Sequence, residues 1–423
     1  EQVDKSGRLR VLSVKSRPQK MLPPVGLNTV QLLVAGSKAL GMSPKQVMNV
    51  AEKLYSAGFI SYPRTETTKY DPNGFDVRVA LREHAKQPDW GKAAGYLLRG
   101  KYSKSGRPPQ GGVDKGDHPP ITPTRAANRE DVGGGAAWRV YEYIARSFIG
   151  SLGDELSFHR RVTELGFDAD VSKKVAFQHE QVFIDSLGFA GACSWVLRDI
   201  GAVSKDEKSN QLQVVEGQHL TIASSSVEDC YTTPPRFLQE HELIELMDAN
   251  RIGTDASMAT HVANIIDRGY VTVCDETGEP LRPPRPPVKG RPSRPRQIGR
   301  YLVPSPLGMT LLELFGEGKA QPVGTTHLLS QPAIRAKMEA EVKQIAAGDC
   351  DKEAVVSENL EWFQARFAEL EASLSKKRVD EFQQCLRPMK EQLKRWRLKG
   401  FFVKAAKAPS GGQGRNGKKS NAK

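Results

Sequence analysis

Alternating apolar and polar positions predict strands in two parts of the chain. Residues 8–15 (RLRVLSVK) alternate as in a strand with one buried face, and residues 17–24 follow as a proline-punctuated linker. Between residue 156 and about residue 222, short runs such as RRVTEL, KKVAFQ and LQVVEG are separated by polar turns. This second stretch is therefore predicted to be β-rich.

Apolar positions spaced by three and four residues predict helices elsewhere. One helix is expected to begin at Asn28, because Asn28 and Gln31 have the spacing of a capping box. A second helix is bounded by Ser43 as its cap, with Pro44 in the first turn, and by Gly58 as its stop. The same periodicity predicts helices over residues 138–152, 237–248, 330–347 and 355–374.

The helix at residues 237–248 begins a pattern that resembles a winged helix. After a short turn, a second helix is expected from Thr254 or Asp255 to Arg268, followed by a strand at residues 270–273. Residues 301–303 are the candidate partner strand. The intervening insert, residues 280–300, is rich in proline and arginine, which excludes a helix or a central strand there. We interpret it as an enlarged wing.

Charge is distributed unevenly over the 423 residues, which carry 62 Lys and Arg against 49 Asp and Glu. Residues 376–423 alone have a net charge of +12, and residues 281–300 hold seven basic residues and no acid. The rest of the chain is mildly acidic, so the formal net charge of +13 belongs to two basic appendages. Beyond residue 409 the sequence has almost no apolar content and is predicted to be disordered. The length indicates roughly two to four domains.

Several classes of protein are disfavoured by composition. No run of about 18 apolar residues is present, which argues against a membrane-spanning helix, and no secretory leader follows Glu1. Because the first residue is not Met, we expect the sequence to begin inside a longer protein. The five cysteines are far apart and form no C-x-x-C pair. We therefore expect neither a disulfide framework nor a zinc ribbon. We expect the protein in a reducing compartment, nuclear or cytoplasmic.

The segment FISYPRTETT, residues 59–68, is the strongest candidate for chemistry. An apolar run leads Tyr62 into a proline-fixed turn, and Arg64 follows two residues later. A tyrosine phenol has an ordinary pKa of roughly 10, so as a nucleophile it needs a cation that stabilises the phenolate and the charge on a phosphate. The Arg64 guanidinium has the fork for a phosphate oxygen. From spacing alone, a buried tyrosine before a turn remains the alternative.

This segment resembles the active-site signature of type IA DNA topoisomerases, S-Y-x-R-T-[DE]. Three further blocks agree in order: PPVGLNT at residues 23–29, DHPPITPT at 117–124, and a block that runs from PP at 234–235 through RIGTDAS at 251–257 to DRGYV at 267–271. Their wording is most similar to topoisomerase III and, within it, to the eukaryotic beta form. The resemblance implies a multi-domain α+β fold, in which a helical tyrosine domain, a β-rich arch domain and a winged-helix-like helical domain close a ring around DNA.

The resemblance also implies an activity, that of an ATP-independent isomerase acting on DNA topology. Tyr62 would attack a phosphodiester of single-stranded DNA and form a transient 5′-phosphotyrosine link, and another strand would pass before religation. Arg64 would steady the scissile phosphate. His118 would contact a phosphate or sugar nearby, with a capping or turn histidine as the alternative. Topoisomerase III relatives relax and decatenate DNA, and the beta type is also credited with RNA strands.

Further nucleic-acid contacts are predicted from the same motifs and from the basic appendages. The candidates are Thr29, Thr65, Glu66, Thr254, Ser257, Arg285, Arg294, Lys394, Arg395 and Trp396. Thr29 and Ser257 match family positions that contact backbone phosphate, but each is also a plausible helix cap. Glu66 matches an acidic family position, for which we favour a structural role in orienting Arg64. For the basic tail, a solvated segment without a function remains the alternative.

Mg²⁺ is implied by the resemblance, because the family holds it in an N-terminal Toprim domain with a D-x-D-x-[ED] run. The one literal match, DCDKE at residues 349–353, lies far after Tyr62 in a polar turn between two predicted helices. We interpret it as a connection with an acidic helix start. No metal ligand is therefore assigned, and the Toprim domain is expected upstream. Arg251 stands where family members commonly have Gly, which leaves the local turn open.

The predicted organisation has five parts. Residues 1–19 end an arch strand and its linker, residues 20–152 form the tyrosine domain, 153–230 the arch, 231–375 the helical domain, and 376–423 the basic tail. The expected partner is single-stranded DNA, with RNA as a further candidate strand and no membrane. The alternative function is a non-catalytic single-stranded nucleic-acid-binding protein derived from this family.

Overall fold

The computed structural model describes residues 8–167, 176–202, 214–224, 235–281, 299–315 and 330–373, with residues 226, 229 and 232. Packing divides the chain into two compact units. One comprises Glu1–Val303 with Arg335–Ala340, and the other comprises Pro304–Ile334 with Glu341–Lys423. In the described ranges no helix combines the length and the apolar character needed to cross a bilayer. The finer domain boundaries stay predictions, and those concerning the basic tail and most of the insert at 280–300 fall outside the described residues.

Five helices form the region predicted to be the tyrosine domain. They are α1 (Thr29–Lys38), α2 (Pro44–Ser56), α3 (Val77–His84), α4 (Gly91–Arg99) and α5 (Gly135–Ser151). The predicted capping box at Asn28 and the predicted cap at Ser43 are confirmed, because both side chains accept from the N–H three residues on. Ser43 also forms a full capping box, since the Gln46 side chain accepts from its N–H. Gly58 ends α2 with a φ of +72°, which glycine adopts at little cost. Helices α3 and α4 are not predicted by the sequence pattern, since each has barely two turns over which periodicity can show.

An aromatic core lies between these helices. Trp90 and Phe148 are among the largest fully buried side chains. The Phe148 ring lies 5.8 Å from Phe75 and 6.3 Å from His84, between ring centroids. Burial lowers the pKa of His84 to about 4, and the neutral ring accepts a hydrogen bond of 3.2 Å from Trp90 Nε1. This core therefore depends on an uncharged histidine.

A four-stranded antiparallel sheet joins the start of the chain to the β-rich region. Its strands are β1 (Arg8–Met21), β2 (Leu156–Phe167), β3 (Ala176–Ser186) and β4 (His219–Thr221), in the order β3-β2-β1-β4. The strand at residues 8–15 is confirmed, but the predicted linker after it is wrong, because β1 continues through Pro18 to Met21. Among the described residues β4 pairs only with Arg8–Arg10, so β1 is an outer strand at Pro18, where a missing N–H is tolerated.

The β-rich prediction for residues 156–222 is only partly met. After β3 the chain forms a short 3₁₀ turn, Gly188–Gly191, and helix α6 (Trp195–Asp199). Phe189 and Cys193 from this segment bury themselves against Leu156 and Phe158 of β2. The segment thus closes one end of the sheet with a small core of its own.

The predicted order of two helices followed by two strands is confirmed, while the interpretation of residues 280–300 as a wing falls mostly outside the described residues. Strand β5 (Leu238–Gln239), helices α7 (Glu240–Ala249) and α8 (Met258–Asp267), and strands β6 (Val271–Cys274) and β7 (Tyr301–Pro304) follow in order, and the sheet order is β5-β7-β6. The turn after α7 forms despite the missing glycine. Arg251 adopts a φ of +56°, and its N–H and that of Ile252 bond back to Asp248 and Met247 as in a Schellman motif.

Three helices complete the described chain: α9 (Pro306–Phe315), α10 (Pro332–Ala347) and α11 (Lys352–Ser373). The segment DCDKE connects α10 to α11 and supplies the first two residues of α11, as interpreted from the sequence. Gly348 ends α10 with a left-handed φ, and Asp351 accepts a hydrogen bond of 2.8 Å from Ala354 N at the start of α11. Asp351 therefore acts as a helix cap in this structure.

Candidate active site

Three of the sequence blocks meet beside Tyr62. Ile121 N donates to Leu27 O at 2.7 Å, which joins the block at residues 117–124 to the block at residues 23–29. Ser61 N donates to Thr122 O at 2.9 Å, and the Ser61 hydroxyl accepts from Thr122 N. These backbone bonds hold the residue before Tyr62 against the histidine motif, although the two are about 60 positions apart in sequence.

Tyr62 is half-buried between two other rings. Its ring meets the His118 ring edge to face, with centroids 4.5 Å apart, and the Tyr55 ring of α2 at 5.1 Å. In the described part of the chain the Tyr62 hydroxyl makes no hydrogen bond. Ring packing therefore orients the phenol, and none of the described residues accepts or donates a hydrogen bond at its oxygen.

Arg64 is held by the carboxylate of Glu52. Arg64 Nε and Nη2 both donate to Glu52 Oε1, at 3.0 and 2.5 Å, and Arg64 Nη1 donates to Ala256 O at 2.9 Å. The expectation that Glu66 orients Arg64 is thus wrong for this conformation. The reason is position: Glu52 extends from α2 towards the guanidinium, whereas the backbone of Glu66 is turned to a different acid.

That acid is Asp117, which fastens the tyrosine segment to the histidine motif. Asp117 Oδ2 accepts from Glu66 N at 2.6 Å, and Asp117 Oδ1 accepts from the hydroxyls of Thr67 and Thr65. The single proton of the Thr65 hydroxyl is shared between Asp117 Oδ1 and the carbonyl of His118. Partial desolvation raises the pKa of Asp117, but these hydrogen bonds outweigh it and lower the pKa overall. The ionised carboxylate therefore fixes His118 relative to residues 65–67.

Two predicted nucleic-acid contacts are buried in this conformation. The Thr29 side chain is fully enclosed, donates to Pro63 O at 2.8 Å and accepts from Thr65 N at 2.8 Å. Thr65 is equally enclosed. Here both residues shape the turn that carries Arg64, and their contact with a phosphate stays a prediction. Asn28, rather than Thr29, is the helix cap.

The block at residues 252–257 approaches Arg64 from the other side. Thr254 N donates to Ser257 Oγ at 2.9 Å, which closes a small loop before α8 and brings the Ala256 carbonyl to Arg64. Thr254 and Ser257 are both half-buried. The structure thus brings these two predicted contacts near the Tyr62 segment.

The other predicted contacts lie outside the described residues: Arg285, Arg294, Lys394, Arg395 and Trp396. In the described ranges no group of three or more His, Cys, Asp or Glu side chains is arranged to hold a metal ion. None of the described residues is therefore assigned to Mg²⁺.

Sequence reasoning missed two residues of the site. Asp117 is the first residue of the histidine motif, so its place next to His118 could have indicated a role in the site. Glu52 carries no such signal, because it lies ten positions before Tyr62 on a different element. Together the site has a phenol, an imidazole and a guanidinium on adjoining segments, which suits attack on a phosphodiester and stabilisation of its charge.

Comparison with protein families identifies relatives for most of the chain. A family model described as "DNA topoisomerase" matches residues 1–282. DNA topoisomerase 3-beta of Oryza sativa subsp. japonica is 36% identical over 366 residues, which cover 86% of this chain and 37% of the relative. DNA topoisomerase 3-beta-1 of Homo sapiens is 32% identical over 365 residues, 86% of this chain and 36% of the relative. The chain thus spans little more than a third of the length of these relatives.

A solved structure shares the fold. Full-length topoisomerase I from Thermotoga maritima, in a monoclinic crystal form, aligns with a TM-score of 0.57 at 19% sequence identity. The alignment covers 85% of this chain and 52% of that protein. At this identity the likeness concerns the fold.

Proposed function

Since this chain belongs to the type IA DNA topoisomerase family and is topoisomerase III-like, we propose that it supplies the strand-cleaving tyrosine of such an enzyme. Its multi-domain α+β fold is the one expected for the family. The whole protein would cleave one strand of DNA through a 5′-phosphotyrosine intermediate, pass a strand through the break and religate it. Relaxation or decatenation of DNA would follow.

The observation that carries this proposal is the contact between the Tyr62 and His118 rings, with Arg64 anchored beside them. Residues that come from separate blocks of sequence converge on one phenol, and the hydroxyl of that phenol makes no hydrogen bond among the described residues. A buried structural tyrosine would satisfy its hydroxyl within the protein. The arrangement therefore supports a reactive role over a packing role.

Each residue has a separate task in the proposed reaction. The phenol oxygen of Tyr62 forms a bond to phosphorus as the bond between phosphorus and the 3′ oxygen breaks. Arg64 donates to a non-bridging oxygen of that phosphate, where negative charge increases in the transition state. His118 contributes a hydrogen bond to a phosphate or sugar oxygen near the break. Mg²⁺ belongs to this proposal as a requirement of the whole protein, with ligands outside the described residues.

The substrate proposed for this site is a single strand of DNA, as the resemblance to type IA topoisomerases implies. RNA is the second candidate strand, suggested by the likeness to the beta form. Both strands present the same phosphodiester to Tyr62, so they are compared in the same assay.

The test is covalent capture by the full-length protein. With single-stranded DNA and Mg²⁺, we expect a DNA-linked band on a denaturing gel that is lost in Tyr62→Phe and kept in the control Tyr96→Phe, whose ring is exposed on α4. Binding of the strand should be nearly unchanged in both variants, since one phenol oxygen contributes little to it. A linked band in Tyr62→Phe would refute the role of Tyr62. Binding without capture in the unmodified protein would favour the non-catalytic alternative.

A further inference from the structure

We propose that Glu52 is a positioning residue for strand cleavage, which holds the Arg64 guanidinium in the orientation that a phosphate requires. The proposal rests on the proposed function of Tyr62 and Arg64. It concerns a carboxylate that lies outside the tyrosine and histidine motifs. Glu52 comes from the middle of α2 and shares one carboxylate oxygen between two N–H groups of Arg64.

The donors of Arg64 divide into two sets. A guanidinium has five N–H groups. Two of them bond Glu52 and a third bonds the carbonyl of Ala256, so among the contacts of the described residues one N–H on Nη1 and one on Nη2 remain. Two donors on neighbouring nitrogens match the spacing of two phosphate oxygens. The bound edge fixes the plane of the group, and the remaining donors are available to a phosphate.

The position of Glu52 is itself fixed by α2. That helix begins with the capping box at Ser43, and it buries Val47, Ala51 and Leu54 in the core. Glu52 therefore stands between two buried positions on a helix whose axis is held by packing. The position of a carboxylate on such a helix is defined more precisely than that of a carboxylate on a loop.

Affinity for DNA does not explain this carboxylate. A negative charge beside Arg64 reduces the attraction of the guanidinium for a phosphate, so a site selected only for binding would lack it. The pair is also partly exposed, with side-chain exposures of 27% for Arg64 and 39% for Glu52, so its contribution to stability is small. Orientation is the benefit that remains. Misplacement of a catalytic group by about 1 Å can slow a reaction about 100-fold.

The test uses Glu52→Gln in the full-length protein, with single-turnover cleavage of a single-stranded DNA and binding of an uncleavable strand measured separately. We expect cleavage to slow by about 10- to 100-fold, while binding stays the same or tightens by up to about threefold. Glu52→Asp, which keeps the charge on a shorter side chain, should lose less of the cleavage rate than Glu52→Gln. Glu142→Gln is the matched control, because it removes a similar Glu–Arg pair, with Arg146 on α5, and should cleave normally.

A double-mutant cycle separates positioning from a general structural effect. If Glu52 acts through Arg64, Glu52→Gln should cause no further loss in an Arg64→Ala background. An equal loss in both backgrounds would overturn the proposal, and so would unchanged or faster cleavage by Glu52→Gln. These outcomes leave the proposed function standing, because it is tested by the Tyr62 adduct of the unmodified protein. Absence of that adduct would overturn both.

Discussion

The two sides of the Tyr62 site are built differently. On one side, the segment that carries Tyr62 is fastened by buried threonines and by the Asp117 carboxylate, and an aromatic core lies behind it. On the other side, the loop at residues 252–257 follows a left-handed Arg251 and presents the exposed Ala256 to Arg64. Tyr62 and Arg64 therefore lie beside buried threonines, and the opposite wall is joined to Arg64 through a carbonyl at the surface.

This difference separates two physical requirements. A nucleophile and its partners must be held within a fraction of an ångström, which buried hydrogen bonds and close packing provide. Under the proposed function the opposite wall would admit a strand, which needs contacts that break at low cost. A hydrogen bond at a partly exposed site contributes only about 1 kcal/mol. Substitutions on the two sides should consequently have effects of different size on stability and cleavage.

The largest difference in stability is expected between an apolar side chain of the aromatic core and one at the surface of α7. Phe148→Ala should lower the free energy of unfolding by about 3–5 kcal/mol, because it leaves a cavity among Tyr70, Phe75 and His84. Leu246→Ala on α7 removes a half-exposed side chain and should cost within about 1 kcal/mol. Urea unfolding of both variants measures this. Equal losses would mean that the two sides are packed alike.

Acidification should weaken the Tyr62 side next. The pKa of His84 is lowered from 6.5 to about 4 by burial, so the unfolded chain takes up a proton before the folded one does. The contribution of neutral His84 to the free energy of unfolding should be fully present above pH 6.5 and decrease as the pH falls towards 4. Below pH 4 the free energy of unfolding should be lower by about 3 kcal/mol.

Hydrogen exchange of the α3 and α5 amides at pH 7.5 and pH 5 measures this dependence. We expect local opening to become easier by about 2 kcal/mol at pH 5. His84→Gln, which keeps an acceptor for Trp90, should lose most of the dependence. A pH response that persists in His84→Gln would assign it to another group.

Asp117→Asn should have an intermediate effect. The new amide cannot accept at both ends, so either Glu66 N or the threonine hydroxyls lose a partner, at about 1–3 kcal/mol. Cleavage should slow with it, because His118 loses its anchor. Asp114→Asn is the control, since Asp114 only caps Gly116 N in an exposed turn. Thermal unfolding and covalent capture of both variants check this, and an unaffected Asp117→Asn would remove the carboxylate from the site.

The smallest expected effect is a gain in stability from a substitution at Arg251, before the loop at residues 252–257. Arg251→Gly should stabilise the fold by about 1 kcal/mol, because a left-handed φ of +56° is strained for arginine and free for glycine. Arg268→Gly makes the same change at the end of α8, where φ is −78°, and should instead destabilise by about 0.5–1 kcal/mol. Thermal unfolding distinguishes the signs. Destabilisation by Arg251→Gly would show that the arginine side chain has its own contact there.

Features governed by neighbours in sequence were predictable. The caps at Asn28 and Ser43 act over three residues, so their helices could be placed from local pattern alone. The winged-helix order also followed from periodicity. The extension of β1 through Pro18 could not be predicted, because proline is acceptable only on an outer strand, and sheet order is not a local property.

By itself, the sequence determined the family, the helices with local caps and the identity of Tyr62, Arg64 and His118 as candidates. Only the tertiary structure decided which groups hold them. Arg64 meets Glu52 across 12 positions and Ala256 across 192. No periodicity or cap spans such distances, because a contact between remote residues exists only after helices and loops have packed. The carboxylates that orient the site are therefore a property of the fold.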